Sequence, residues 1–583
     1  MKITTYLDPS ARRLVHLKPG LWLLLSISLL VLMAAVFSGR PAAAQSEGFA
    51  ITGKVIDLQS QPVHAAQISL HARGVDQPLA STESGEDGSW TLNFADASSR
   101  SMEIHVDRIH FESAVLPLSS SQIARLREGG AITFGDVTLT RHISYAFWAA
   151  TIIFLGVLLI IALEKLHSTT AALAGMSAVF LVTFIGGACN PHCFIFDFET
   201  ALTYINWEVI FLVMGMMIII AIIERTGIFQ WTAFQAYRLS RGRAWLLVLI
   251  LILLTAIASA LLDNFTTMLL MTPISLQIGL ALGINPLALI IPEVLASNVG
   301  GITTLIGTPT NILIGAYGGI SFQDFLVHQT LGVVLALGAL AGFVLFHYRR
   351  ELAKHASGLS ETLYAKLEEN ARIRDRGALW KSGLVFLLVL AGFIVGERYH
   401  VVPAVPALVG ATLLLIWLKP DVHAMIIAVD WTTLVFFMAL FIVVGAVQEV
   451  GLISMIAGWM SKIVGQNLVL GIFLIVFGVG TLSTAIANIP LAASMLPVVE
   501  YLSGSVPGAS SKVLYYALSM GAAMGGNGLL IGAEANLVTA GITSQAGTPI
   551  SFREFLKVGL PVTYLTLTAG FLWLLIRFVW LGG

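Results

Sequence analysis

The sequence predicts a mainly α, polytopic membrane protein. The architecture is about ten full transmembrane helices plus two re-entrant hairpins in an inverted repeat, with a small β-sandwich near the N-terminus. Three observations lead there. Of 583 residues, 57% are hydrophobic and only 11% charged, where soluble proteins carry about a quarter charged residues. A set of Gly, Pro and Asn interruptions occurs twice in the apolar region. One stretch of about a hundred residues alternates polar and apolar side chains instead.

The duplication is detailed. Ser259-Ala260-Leu261-Leu262-Asp263-Asn264-Phe265-Thr266-Thr267, closing at Pro273, returns as Ser483-Thr484-Ala485-Ile486-Ala487-Asn488-Ile489-Pro490, closing at Pro497. Gly300-Gly301 with Ile306-Gly307-Thr308-Pro309-Thr310-Asn311 returns as Gly525-Gly526 with Ile531-Gly532-Ala533-Glu534-Ala535-Asn536. Trp207 matches Trp431, and Ser321-Phe322 matches Ser551-Phe552. Paired interruptions at corresponding places in two halves point to the central site of a secondary transporter.

In chain order, residues 1–45 read as a signal peptide or signal anchor. Arg12, Arg13 and Lys18 precede an apolar run over 21–37, followed by Ala42-Ala43-Ala44. Residues 46–142 alternate as short strands, with turns at Gln61-Pro62 and Gly85-Glu86-Asp87-Gly88. They are expected outside the cytoplasm, in the periplasm, and they resemble the non-catalytic carboxypeptidase regulatory-like sandwiches. His105, Asp107 and His110 fit the wet face of a strand better than a metal site. Residues 143–346 form the first repeat, 347–381 a cytoplasmic linker with a short amphipathic helix around 359–374, and 382–583 the second repeat.

Orientation follows from short basic loops, which stay in the cytoplasm. Arg225, Arg238, Arg241 and Arg243 mark one such loop, and eight Lys and Arg side chains between His347 and Lys381 mark another. Both lie inside only if 244–282 enters and leaves on one side. Each copy then makes an odd number of crossings, and the second copy is inverted relative to the first. The protein is thus expected as a multi-pass component of a bacterial cell inner membrane, in contact with the lipid bilayer.

The other composition signals are exclusions. A net charge of -1 gives no basic footprint for nucleic acid. Cys189 and Cys193 flank His192 in a polar loop and read as two ordinary thiols, a pair, or a weak metal site. No Ser/His/Asp set or His-Glu-x-x-His helix lies in the spans, so an enzyme is not expected.

Broken helices free carbonyl oxygens, which suit a hard cation, and expose helix N-termini, which suit an anion. Candidate ion and substrate residues are Asp263, Asn264, Thr266 and Thr267 at the first hairpin tip and Asn488 at the second. The breaks add Asn298, Gly300, Gly301, Thr303, Gly307, Thr308 and Asn311 in one copy and Gly525, Gly526, Asn527, Glu534 and Asn536 in the other. Na⁺ is assigned to Asn264, Asn311, Asn488 and Asn536. Asp263 stands out because a charge at membrane depth costs at least about 2.5–3.5 kcal/mol. Glu293 is a third intramembrane acid. Glu208 and Asp430, beside the matched tryptophans, are expected at solvated interfaces.

Ala236-Tyr237-Arg238-Leu239-Ser240-Arg241-Gly242-Arg243, Leu262–Leu270 and Ser297–Asn311 closely resemble the melanosomal P protein group of the ion transporter superfamily. That superfamily also holds arsenite permeases, Na⁺/H⁺ antiporters and Na⁺-coupled dicarboxylate symporters. The resemblance covers about 143–583. It implies two hairpins and two broken helices holding ions at mid-membrane, in a homodimer. Thr308-Pro309-Thr310-Asn311 departs from the Asp-Pro-Pro-Asn of many relatives, and Ala487-Asn488-Ile489-Pro490 departs from the Ser-Asn-Thr of dicarboxylate carriers. The expected function is a Na⁺- or H⁺-coupled permease that moves a small inorganic or organic anion or exchanges Na⁺ for H⁺, with no cofactor beyond the coupling ion. A channel-like or sensory protein that receives a ligand on its exported domain is the alternative.

Overall fold

A computed structural model describes residues 49–582, apart from 59–61, 73–74, 76, 96–100, 130, 164–165, 354–367 and 370. The signal segment and most of the linker helix expected around 359–374 lie outside these residues. The chain divides into two compact units, one mainly of residues up to 138 and one mainly of 139–583.

The smaller unit holds two antiparallel sheets built from β1 (Phe49–Asp57), β2 (Gln67–Ala72), β3 (Pro78–Glu83), β4 (Ser89–Phe94), β5 (Met102–Asp107), β6 (Ala114–Pro117) and β7 (Ala131–Leu139). Their orders are β4-β1-β7 and β3-β2-β5-β6. Alternation explains the core. Trp90, Leu92 and Phe94 of β4 are buried while their neighbours are exposed, and Ile68 and Leu70 of β2 behave likewise. Helix α1 (Ser120–Gly129) precedes β7. His105 lies on the wetter face of β5, its ring 4.5 Å from that of His71. Among the described residues no group of His, Cys, Asp and Glu is placed to hold a metal, and both cysteines are free.

The larger unit is helical. Its first half runs α2 (Tyr145–Ala162), α3 (Ser168–Cys189), α4 (Trp207–Glu224), α5 (Ile228–Ser240), α6 (Ala244–Leu261), α7 (Asn264–Leu282), α8 (Leu287–Gly300), α9 (Pro309–Gly318) and α10 (Phe322–His347). Its second half runs α11 (Arg376–Arg398), α12 (Ala404–Leu418), α13 (Trp431–Glu449), α14 (Leu452–Val464), α15 (Leu468–Ser483), α16 (Asn488–Ser505), α17 (Val513–Gly525), α18 (Glu534–Gln545) and α19 (Phe552–Trp580). Each helix of the first half corresponds to the one nine places later.

Local signals recur with the helices. Asn206 and Asp430 cap α4 and α13, accepting from Val209 N and Thr433 N. Gly227 and Gly451, at φ 81° and 90°, make the left-handed turns into α5 and α14. Ser321 and Ser551 cap α10 and α19 through Asp324 N and Glu554 N.

Packing between halves is reciprocal. α7 meets α18 while α16 meets α9, α12 lies on α4 while α3 lies on α13, and α10 packs against its own counterpart α19. Such exchange of partners is what a two-fold relation between copies produces.

Nine helices are long and apolar enough to cross a membrane, among the described residues. Two of them are α6 and α7, the arms of the first hairpin. Their tip is inside the protein, with Asp263 9% and Asn264 6% exposed, whereas a turn between two full crossings would emerge into water. The seven others, the shorter α12 and two composite crossings make up the ten expected. A composite is needed because α8 has 14 residues, about 21 Å at 1.5 Å per residue, against a core of about 30 Å. Only α8 with α9, or α17 with α18, is long enough. Helices α5 and α14, of 13 residues each, are too short to cross.

Candidate functional site

The helix breaks are held by mirrored contacts. Ser259 Oγ donates to Ser297 O at 2.7 Å, and Ser483 Oγ donates to Ala522 O at 2.7 Å. A Cβ on Gly300 would lie 2.5 Å from Ala256 Cα, and one on Gly525 would lie 2.4 Å from Gly480 O. Gly301 similarly presses on Gly307 O, and Gly526 on Gly532 O. Only glycine lets these backbones meet.

The carbonyls freed by the breaks are then satisfied by asparagine. Asn311 Nδ2 donates to Gly301 O, Ile302 O and Thr304 O at 3.3, 3.1 and 2.8 Å. Asn536 Nδ2 donates to Gly526 O at 2.8 Å and Leu529 O at 3.0 Å. Both residues are fully buried. Each unmet carbonyl at membrane depth would cost several kcal/mol, so the amides stabilise the unwound segments.

Side chains then join the two copies. Asn264 Nδ2 donates to Asn298 Oδ1 at 2.8 Å, and Asn298 Nδ2 donates to Asn527 Oδ1 and Asn536 Oδ1 at 2.8 and 3.1 Å. Asn527 Nδ2 continues to Leu295 O at 3.1 Å, and Ser519 Oγ donates to Asn311 Oδ1 at 2.6 Å. In this arrangement the amides of Asn311 and Asn536 are engaged in the knot and bonded to carbonyls that the breaks free. Asn488 behaves differently: it is 4% exposed and bonds to no described residue.

Around the knot, Thr308 Oγ1 caps α9 by accepting from Asn311 N at 3.1 Å. Thr304 Oγ1 donates to Ala260 O, and Thr303 is half-buried in the turn after Gly301. The hydroxyls of Thr267 and Thr310 are buried without a partner.

The acids gather elsewhere, at one open place. Asp263 caps α7, its Oδ1 accepting from Thr266 N at 2.7 Å and its Oδ2 from Thr266 Oγ1 at 2.6 Å. A cavity of about 120 Å³ is lined by Asp263, Thr266, Pro309, Asp430, Glu534 and Glu224. A neighbouring cavity of about 600 Å³ shares Asp430, Glu534 and Phe265, and adds His167 and Thr432. Hairpin tip, first break, second break and the cap of α13 therefore meet on one wall. Among the described residues, no Lys or Arg lines either cavity.

Asp430 was expected in solvent and instead borders both cavities. Its Oδ1 accepts from Thr432 N and Thr433 N at 3.0 and 3.2 Å, and its Oδ2 accepts from Thr433 Oγ1 at 2.6 Å. One signal in the sequence distinguishes these acids. Asp263, Asp430 and Glu534 correspond to Ala487, Asn206 and Pro309, so each breaks the repeat with a carboxyl that its copy lacks. Glu208, also expected in solvent, lines a third cavity of about 310 Å³ with Leu212, Ile312 and the loop between α11 and α12. That cavity is the repeat-related image of the 600 Å³ one, whose wall has Thr432, Phe436, Leu537 and the loop between α2 and α3.

Residues 158–521 match the family model described as Citrate transporter. An uncharacterized transporter of Mycobacterium tuberculosis (strain ATCC 25618 / H37Rv) is 38% identical over 428 residues, covering 73% of this chain and 97% of its own. An uncharacterized transporter of Synechocystis sp. is 32% identical over 435 residues, 70% of this chain and 93% of its own. The P protein of Homo sapiens is 32% identical over 515 residues, 74% of this chain and 60% of its own. Among solved structures, the YdaH transporter of Alcanivorax borkumensis aligns with 16% identity and a TM-score of 0.45, over 75% of this chain and 98% of that one.

Proposed function

The chain belongs to the citrate transporter family of secondary transporters, and on that premise we propose that it is driven by Na⁺ or H⁺ through the carboxyl-lined wall of Asp263, Asp430 and Glu534. The observation that carries this reading is their convergence on one cavity although none has an acidic counterpart in the other repeat. Repeat geometry explains the glycines and asparagines without transport; it does not explain three unmatched acids. A charged side chain at membrane depth costs about 2.5–3.5 kcal/mol or more, and is retained where it moves an ion.

The cargo in this reading is a small anion such as citrate. Among the described residues this wall carries carboxyls and no Lys or Arg, so a bare polyanion meets like charge there. The cation therefore binds first, and the anion enters with cationic charge already in place. Asp263 and Asp430 keep their carboxylates oriented through Thr266 and Thr433, whereas Glu534 bonds to no described residue and is free to reach the ion. The unequal repeat-related cavities of about 600 and 310 Å³ support alternating access, in which one vestibule opens as its image closes. The carboxyls that line this wall also suit a second reading, exchange of Na⁺ for H⁺ without an anion.

In this reading the protein lies in a bacterial inner membrane, as a homodimer. The loop 225–243 and the linker 347–381 are inside, and residues 46–142 are outside. The test is flux in proteoliposomes under imposed Na⁺ or pH gradients, with arsenite, chloride, citrate and succinate as cargo. Uphill movement of one of these anions under either gradient is expected, or a Na⁺-dependent pH change in the second reading. Flux that ignores both gradients would overturn the coupling.

A further inference from the structure

Glu293 is fully buried in α8 and away from the cavities described above. Ser275 Oγ of α7 donates to its Oε1 at 2.7 Å, and its Oε2 has no partner. The second repeat shows what the architecture asks of this place. Glu293 corresponds to Leu518 and Ser275 to Val499, both fully buried. An aliphatic pair fills the equivalent contact between α16 and α17, so packing does not require the acid.

Among the described residues, no basic side chain pairs with it as an anion. Helices α6 and α7, which pack on α8, carry no ionisable side chain. Of the groups on the other helices against α8, Asp324 bonds Ser321 at the start of α10, and His328 of α10 stacks on Tyr516 of α17, a helix that also carries Tyr515. Glu534 of α18 faces the cavities. His347 of α10 and Arg553, Glu554, Lys557, Tyr564 and Arg577 of α19 form no bond to Glu293, whose one hydrogen bond is to Ser275. A carboxylate buried with one donor and no counter-charge is far costlier than the neutral acid. Oε2 is left without a donor among the described residues.

We propose that Glu293 is a proton-carrying site of the first repeat, distinct from the carboxyl-lined wall of Asp263, Asp430 and Glu534. It holds H⁺ on Oε2 while sealed in this conformation. It releases the proton to water as a carboxylate when movement of the repeat exposes the α7–α8 contact. It reloads from water on the other side, so that one proton accompanies each cycle. The proposal rests on the carrier reading and adds the site at which the proton is occluded.

The test uses the full-length protein in lipid vesicles, first without any cargo. Infrared difference spectra at neutral pH should show the carbonyl band of a protonated carboxylic acid that Glu293→Gln lacks. An identical band in native protein and variant would overturn the proposal whether or not the protein carries citrate. The second arm uses radiolabelled citrate with the membrane potential clamped. One coupled proton and a gradient of about one pH unit sustain about tenfold accumulation. Glu293→Gln should keep citrate exchange across equal concentrations and lose this accumulation. Ser275→Val combined with Glu293→Leu, which imports the pair of the second repeat, should fold and behave the same way. Native-like accumulation in either folded variant would sink the idea. No citrate flux in the native protein would count against the cargo alone, leaving the infrared arm to decide Glu293.

Discussion

At the scale of the residue, the asparagines and the acids have separate duties. Asn311 and Asn536 hold the unwound segments together from within, while Asp263, Asp430 and Glu534 face open space. The types of these side chains were legible in the sequence; their division of labour was not. Hydrogen-bond saturation depends on which carbonyl falls within reach of which amide, and Asp430 looked like any cap one residue before a tryptophan. Asp263 allows charge to be separated from capping. Asp263→Asn should keep the cap on α7 and its melting temperature in detergent, yet abolish Na⁺- or H⁺-dependent flux. Asp263→Ala should in addition lose about 0.5–2 kcal/mol of stability, the usual worth of a cap. Unchanged coupling in folded Asp263→Asn would remove this residue from the mechanism. Glu534→Gln, which breaks no hydrogen bond among the described residues, should leave the melting temperature within error and shift the ion dependence of transport.

At the scale of the element, glycine at the breaks is a packing demand. Gly300 and Gly525 sit where a Cβ would overlap the backbone of α6 or α15, whereas a Cβ on Gly338 of α10 meets nothing within 4 Å. Gly300→Ala and Gly525→Ala should each cost about 1–3 kcal/mol, seen as lower melting temperature and poorer recovery of monodisperse protein. Gly338→Ala should be neutral or better. Equal effects at all three positions would show that helix propensity, not contact, decides. The matched Gly-Gly and Asn positions made these breaks readable before any coordinates. Helices α5 and α14 are not legible in the apolar pattern because 13-residue amphipathic segments are too short to stand out as spans, although Gly227 and Gly451 mark where both begin. The silent pair Val499 and Leu518, which gives Glu293 its meaning, becomes visible only when burial is known.

At the scale of the whole molecule, one sequence plan used twice yields two sets of helices that exchange partners, with unequal cavities on their repeat-related faces. Basic loops predict the orientation, in which an odd number of crossings per copy keeps both charged stretches in the cytoplasm. The turn after α5 and its image after α14, at Gly242 and Gln466, are exposed and lie 224 positions apart. Single cysteines placed there, in a background with Cys189→Ser and Cys193→Ser, report on opposite ends of the inferred symmetry. A membrane-impermeant thiol reagent applied to intact cells and to inside-out vesicles should label Gln466→Cys only from outside and Gly242→Cys only from the cytoplasmic face. Labelling of both cysteines from the same face would mean that the repeats are parallel, and the alternating carrier described here could not operate.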